Sequence, residues 1–286
     1  MMNDSPDQVK KLLAELRVKG ESRSTDMYAL EHFERYQKTI NYLKKNINYT
    51  NGKILDLASN PVFTFLLAKE FDGQFFGTSH QAPKFPSESK NKITTSHVDI
   101  EYMNSHIEYK IIDNINLETD SLPFENEYFD LICCTEIIEH LIYSPTTMLC
   151  EIYRVLKTSG IFCLTTDNAN NLLKMIRILL NKQTYFPLYG DSIYCRHNRE
   201  YLKHELEDLL SGIGFKISMS GYFNYNPFRY SNNVRYRFLY DMLYFFSFFP
   251  FLRTRRKHII ILAQKGNGMH WYYPDWLYRG HYIGRS

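Results

Sequence analysis

The chain has 286 residues, 44% of them hydrophobic, enough to bury a large core in one domain or one domain with additions. A net charge of +3 is too small to mark a nucleic-acid binder. The opening MMNDSPDQVKKLLAELR has no apolar run behind a basic head, so it does not read as a secretory signal. Five cysteines (Cys133, Cys134, Cys150, Cys163 and Cys195) lack metal-ligand spacing, and three lie in apolar strand-like runs, which is the pattern of reduced thiols in a cytoplasmic protein.

Residues 6 to 47 read as helices, with Leu12, Leu13 and Leu16, then Phe33, Tyr36, Ile40 and Leu43 at helical spacing. GKILDLAS is a short strand ending near Asp56, FTFLLAKEF a helix, and GQFFGTSH a second strand. Residues 81 to 108 are polar and carry no clear period. YKIIDNINLE and LPFENEYFDLICCTE supply two more strands, PTTMLCEIYRVLKTSG a helix closing at Gly160, and IFCLTTDN another strand. Alternating strands and helices predict an α/β fold with a mostly parallel sheet covered on both faces. Ligands of such sheets sit beyond the carboxyl ends of the strands, where Asp56, Glu118, Glu136 and Asp167 are expected.

In TEIIEHL, Glu136 and Glu139 are three residues apart, and Glu136 and His140 four. On a helix these side chains would share a face. One reading is acids complementing a helix dipole, worth about 0.3–1 kcal/mol each. The other adds His197, from CRHNREYLKHEL, expected at the start of a later helix. Two carboxylates and two imidazoles then form a mixed oxygen and nitrogen set suited to Mg²⁺ or Mn²⁺.

The run LPFENEYFDLICCTEIIEHL, followed by EIYRVLKTSGIFCLTTDN, resembles the central block of class I S-adenosylmethionine-dependent methyltransferases. The similarity covers about residues 50 to 220 and includes LLSGIGFKI. It implies a Rossmann-like fold with a seven-stranded, mostly parallel sheet. The implied domain spans 50–266, behind a helical segment 1–49 and ahead of an aromatic tail 267–286. It also implies S-adenosylmethionine as cofactor, contacted by Asp56, Ala58, Ser59, Asn60, Ser79, Asn116, Glu118 and Thr135. Ala58, Asn60 and Val62 stand where this family carries glycines, and the acid that ends its second strand is replaced by Ser79 and His80. Ala costs little there and Asn tolerates a left-handed backbone, whereas Val62 implies a different chain path. A domain that has lost its cofactor remains an alternative.

The combination E-x-x-E-H with a later histidine resembles the divalent-metal sites of small-RNA terminal 2′-O-methyltransferases and, in part, ubiquinone-pathway O-methyltransferases. It implies Glu136, Glu139, His140 and His197 as metal ligands, with Glu139, His140 and His197 acting in catalysis on an alcohol hydroxyl. The RHNREY element resembles bacterial polysaccharide and O-antigen sugar methyltransferases, which implies a lipid-linked glycan as acceptor. An RNA terminus or a quinone-type small molecule is the alternative, and the lack of a basic stripe counts against RNA.

Between GFKISMS and RKHIIILAQKG lie about thirty residues where a short hairpin would suffice, giving an insert at 222–255. Its segment 238–257, RFLYDMLYFFSFFPFLRTRRK read from Phe238 onward, reads either as a helix peripheral on the inner membrane surface or as a lid over the acceptor cleft. The tail holds both tryptophans and is expected to dock on its own domain or in a dimer interface. Nothing in the sequence sets the oligomeric state.

Overall fold

Short runs rich in β-branched and aromatic residues, alternating with amphipathic stretches, fold into one sheet covered by helices. The computed structural model describes residues 5–19, 25–47, 51–79, 92–184, 196–266 and 268–278. His80 and Cys195 lie outside the described residues.

The strands are β1 (Arg17–Val18), β2 (Gly52–Leu57), β3 (Gly73–Thr78), β4 (Thr94–Tyr102), β5 (Ser105–Asp113), β6 (Phe129–Thr135), β7 (Leu156–Asp167), β8 (Phe215–Phe223) and β9 (His258–Lys265). Their order is β1-β4-β5-β3-β2-β6-β7-β9-β8. The block β5-β3-β2-β6-β7 is parallel, and β9 runs antiparallel to both β7 and β8. The sheet therefore has nine strands where seven are expected. The extra pair, β1 and β4, extends the β5 edge. Residues 94–97 of β4 are exposed, so no apolar alternation marks that strand in the sequence.

The helices are α1 (Pro6–Glu15), α2 (Thr25–Asn46), α3 (Pro61–Glu70), α4 (Pro145–Val155), α5 (Leu172–Leu179), α6 (Lys203–Ile213) and α7 (Val234–Phe246). Ser5, Asn60 and Ser144 cap α1, α3 and α4, each followed by a proline whose missing N–H costs nothing there. Neighbouring residues of the central strands enter opposite cores. Ile54 and Leu131 join Phe33, Leu43 and Phe63 on one face, while Leu55 and Ile132 join Leu149, Ile152 and Leu206 on the other. The N-terminal helices are thus part of the domain core.

Three local expectations change. Helix α4 stops at Val155, because the chain from Leu156 onward pairs with β6. His197 sits in a turn ahead of α6, which begins at Lys203. TEIIEHL is not an α-helix: only Ile138–His140 form a 3₁₀ turn, and Glu136 takes a left-handed backbone with φ 56°. Chain reversal at the end of β6 overrides the helical spacing there, so Glu136 and Glu139 diverge.

The tail segment 268–278 docks on its own domain. The Tyr272 hydroxyl and the Trp276 indole N–H both donate to Asp208 Oδ2 of α6, at 3.0 and 2.7 Å. Thr146 Oγ1 of α4 donates to the Tyr272 carbonyl at 3.0 Å.

Candidate functional site

The turn after β2 carries the first group of expected cofactor residues. Ala58 adopts φ 46°, so the left-handed position falls on Ala58, whereas Asn60 is extended at φ −106°. Asn60 Oδ1 accepts from the Val62 and Phe63 N–H groups and starts α3. Val62 is buried in the first turn of that helix. The loop is tied to the end of β3: Ala58 N donates to Thr78 Oγ1 at 2.9 Å and Ser59 N to the Thr78 carbonyl at 2.8 Å. Asp56 Oδ2 accepts from Asn60 N and Thr64 Oγ1, and burial pushes its carboxyl up to about 7.

Ser79 follows β3 and donates to Asp113 Oδ1 at 2.7 Å, so a carboxylate from the neighbouring strand stands beside the position where the acid is missing. Asn116 Oδ1 accepts from Glu118 N. Glu118 Oε1 accepts from the Ile142 and Tyr143 N–H groups at 2.8 and 2.5 Å and braces the loop before α4. Glu118 Oε2 and Asn114 Oδ1 are buried acceptors without a hydrogen-bond partner among the described residues. Such groups suit a bound nucleoside, whose amino and hydroxyl donors would satisfy them. Thr135 ends β6 opposite Thr165 of β7.

The four expected metal ligands separate into two groups. Ligand atoms of Glu139, His140 and His197 lie within 4.8 Å of one another, and the two imidazoles meet edge to face with centroids 4.9 Å apart. Glu136 turns away from them. Its Oε2 lies 3.2 Å from Arg35 Nη1 and 3.2 Å from His258 Nδ1, and its Oε1 accepts from Thr165 Oγ1. Burial works against the Glu136 carboxylate, yet His258 and Arg35 hold it well below the usual carboxylate range.

Glu139 is the reverse case. It is fully buried, and burial together with the nearby Glu136 and Asp167 carboxylates pushes its carboxyl well above the usual range. Thr166 Oγ1 donates to its Oε2, while Oε1 has no hydrogen-bond partner among the described residues. The His140 Nδ1 lies 3.0 Å from the Arg196 carbonyl and the His197 Nδ1 3.1 Å from Glu200 Oε1. Each Nδ1 therefore carries a proton, so Nε2 is the atom by which each ring would ligate a metal. Burial, partly opposed by Asp167, lowers His197 to about 4, so it is neutral near pH 7. A buried Glu139 oxygen lacking a hydrogen-bond partner among the described residues, beside two imidazoles whose Nδ1 atoms face acceptors, fits a divalent cation.

Sequence reasoning missed Arg35, His258 and Lys257. His258 bridges Glu136 and Asp167, with Nε2 3.2 Å from Asp167 Oδ1. The available signal was a basic pair opening the apolar strand KHIIILAQK, which runs antiparallel and so starts at the ligand edge of the sheet. Arg35 gave none, because it lies within an ordinary amphipathic helix.

Residues 77–164, which run from the end of β3 through most of β7, match a family described as a methyltransferase domain. The chain has the class I methyltransferase fold. The matched stretch, 88 of the 286 residues, is similar to that methyltransferase domain. One chain of the Haloferax volcanii complex between the Trm112 methyltransferase activator and a methyltransferase is similar over 91% of this chain and 98% of its own, at 11% identity and TM-score 0.50. An Archaeoglobus fulgidus S-adenosylmethionine-dependent methyltransferase covers 83% of this chain and 99% of its own, at 14% identity and TM-score 0.46. The Haemonchus contortus phosphoethanolamine N-methyltransferase 2, in complex with S-adenosylmethionine, covers 85% of this chain and 57% of its own, at 15% identity and TM-score 0.49. No curated protein sequence matches the chain. The methyltransferase strand order places the β2, β3 and β6 loops together, so Asp56, Ala58, Ser59, Asn60, Ser79 and Thr135 share one edge with Glu139 and His140.

Proposed function

We propose that this protein is a metal-assisted, S-adenosylmethionine-dependent O-methyltransferase that acts on a sugar hydroxyl of a lipid-linked surface glycan. The carrying observation is the Glu139, His140 and His197 cluster with its partnerless Glu139 Oε1. Glu139 and the two Nε2 atoms would hold Mg²⁺ or Mn²⁺, which would supply Lewis-acid activation of an alcohol. S-adenosylmethionine would supply the methyl group. Glu136 is left out of the ligand set, because Arg35 and His258 take its carboxylate. The Arg196 carbonyl and Glu200 would orient the two imidazoles, and Asp167 Oδ2 lies 3.8 Å from His197 Nδ1.

The glycan reading draws on the insert between β8 and β9. Helix α7 buries none of its residues, and Phe238, Phe245, Phe248 and Phe251 stand exposed on it and just after it, next to Arg253 and Arg256. Aromatic rings beside cations suit the interface of an anionic bilayer. Among the described residues no helix is long and apolar enough to cross a membrane. Tyr240, Leu243 and Tyr244 of the same helix face a cleft instead, so the insert has a lid-like inner side as well.

The test is calorimetric titration of the chelator-treated protein with S-adenosylmethionine and S-adenosylhomocysteine, with and without Mn²⁺ or Mg²⁺. The reading expects micromolar nucleotide binding and a separate metal heat that disappears in His140→Ala. Absence of nucleotide binding in all conditions would establish instead that the altered β2 loop has lost the cofactor.

A further inference from the structure

The cleft between α5, α7 and the start of β9 has a volume of about 360 Å³, and Lys174, Arg177, Arg255 and Lys257 line it. Asp167 is the one carboxylate among its described lining residues. Arg255 is half-buried and makes no hydrogen bond or ion pair with any described residue. Among the described residues Arg177 commits only its Nε, which donates to the Gln183 carbonyl at 2.7 Å. Lys257 Nζ donates to the Tyr225 hydroxyl, and Lys174 pairs with Glu200. Glu200 matches Lys174 and Asp167 faces Lys257, which leaves the guanidinium charges of Arg177 and Arg255 without a carboxylate partner among the described residues. The half-buried Lys174, Arg255 and Lys257 line the cleft with Leu172, Tyr240 and Leu243, and Arg177, also on the lining, is exposed.

The cleft adjoins a second pocket beside the candidate metal site. A smaller pocket of about 230 Å³ shares Lys174 and Thr184 with it and reaches His197 and Glu200. Guanidinium groups match phosphate oxygens in pairs, and the apolar wall suits a carbon chain or a ring attached to the phosphate.

We propose that this cleft is a phosphate-ester site that holds the acceptor by its phosphate while the sugar hydroxyl lies at His197. The inference rests on the sugar O-methyltransferase reading and adds the chemical class of the acceptor, a sugar esterified to phosphate or diphosphate. The other side of the ester is either a prenyl-type lipid or a nucleoside.

The test is calorimetric titration of the full chain, saturated with S-adenosylhomocysteine, with inorganic pyrophosphate, geranyl diphosphate, uridine diphosphate and citrate. Pyrophosphate should bind at least tenfold more tightly than citrate. Arg255→Gln and Arg177→Gln should each weaken it about tenfold or more, the usual worth of a charge-assisted hydrogen bond. Arg255→Lys should recover part of the loss, and S-adenosylhomocysteine affinity should be equal in all variants, which also verifies folding. A further gain with geranyl diphosphate identifies a lipid carrier, and a gain with uridine diphosphate a nucleotide sugar. Pyrophosphate bound no better than citrate, or unchanged in Arg255→Gln, overturns the site. Failure of the methyltransferase reading is separately visible as absent S-adenosylhomocysteine binding, and the phosphate titration can still be run on the nucleotide-free protein.

Discussion

Arg35 of α2 pairs with Glu136 at the end of β6, Nη1 to Oε2 at 3.2 Å, with the two side chains only 7% and 8% exposed. The pair fastens the N-terminal helices to the strand edge that carries the candidate metal ligands.

Removing one partner of a buried ion pair leaves the other charge unpaired, at a cost of about 3–5 kcal/mol. Arg35→Met should therefore lower unfolding stability by that order in urea melts. Glu136 has a depressed folded pKa, so its contribution is present above the unfolded value and is lost as pH falls through the folded one. Arg35→Met should flatten this acid limb. A loss below about 1 kcal/mol would mean the pair adds little.

Asp56 gives the opposite sign. Its folded pKa is raised to about 7 by burial, so the associated stability is present below the unfolded value and is lost as pH rises towards 7. Asp56→Asn can still accept from Asn60 N and Thr64 Oγ1, and it should remove a pH dependence of the order of 4 kcal/mol between about pH 4 and 7. Thermal melts across that range decide it, and parallel pH profiles for both proteins would refute a carboxyl whose burial outweighs its hydrogen bonds.

His140→Ala should abolish the rise in melting temperature given by Mn²⁺ and reduce methyl transfer at least 100-fold, while S-adenosylhomocysteine affinity stays within about threefold. Equal loss of nucleotide affinity would join the two sites that the geometry separates.

Gly212 of α6 lies under the tail: a Cβ built on it would fall 2.1 Å from the Tyr272 ring. Alanine in a helix normally gains about 1 kcal/mol over glycine. Gly212→Ala should destabilise the full chain and stabilise a chain ending at 267. Stabilisation in both would mean that the tail does not bear on α6.

Phe238→Ser with Phe245→Ser should weaken flotation with anionic vesicles severalfold without changing nucleotide affinity, because both rings are exposed at 68% and 62%. Unchanged flotation would leave α7 as a lid alone.

Much of the fold is legible in the chain itself. The apolar runs around Ile54, Ile132 and Phe162 are buried on both faces and give a strong signal, as does the LPF…FD…RVLK block. β4 is hidden because its residues 94–97 face solvent. The tail's two tryptophans suggested docking, and Asp208 is the acceptor that fixes where it docks. At the β2 turn the sequence marks an unusual loop, and only the backbone shows that Ala58 carries the left-handed conformation.

Local order in sequence determines which residues form strands, where Ser5, Asn60 and Ser144 start helices, and that acids and histidines gather beyond the strand ends, because periodicity and capping act over a few residues. The tertiary structure decided how those groups are shared out. Glu136 pairs with Arg35 and His258, which lie 101 positions before and 122 positions after it in the numbering, leaving Glu139 with His140 and His197. Such partnerships depend on through-space charge and desolvation between distant segments, which residue spacing does not encode.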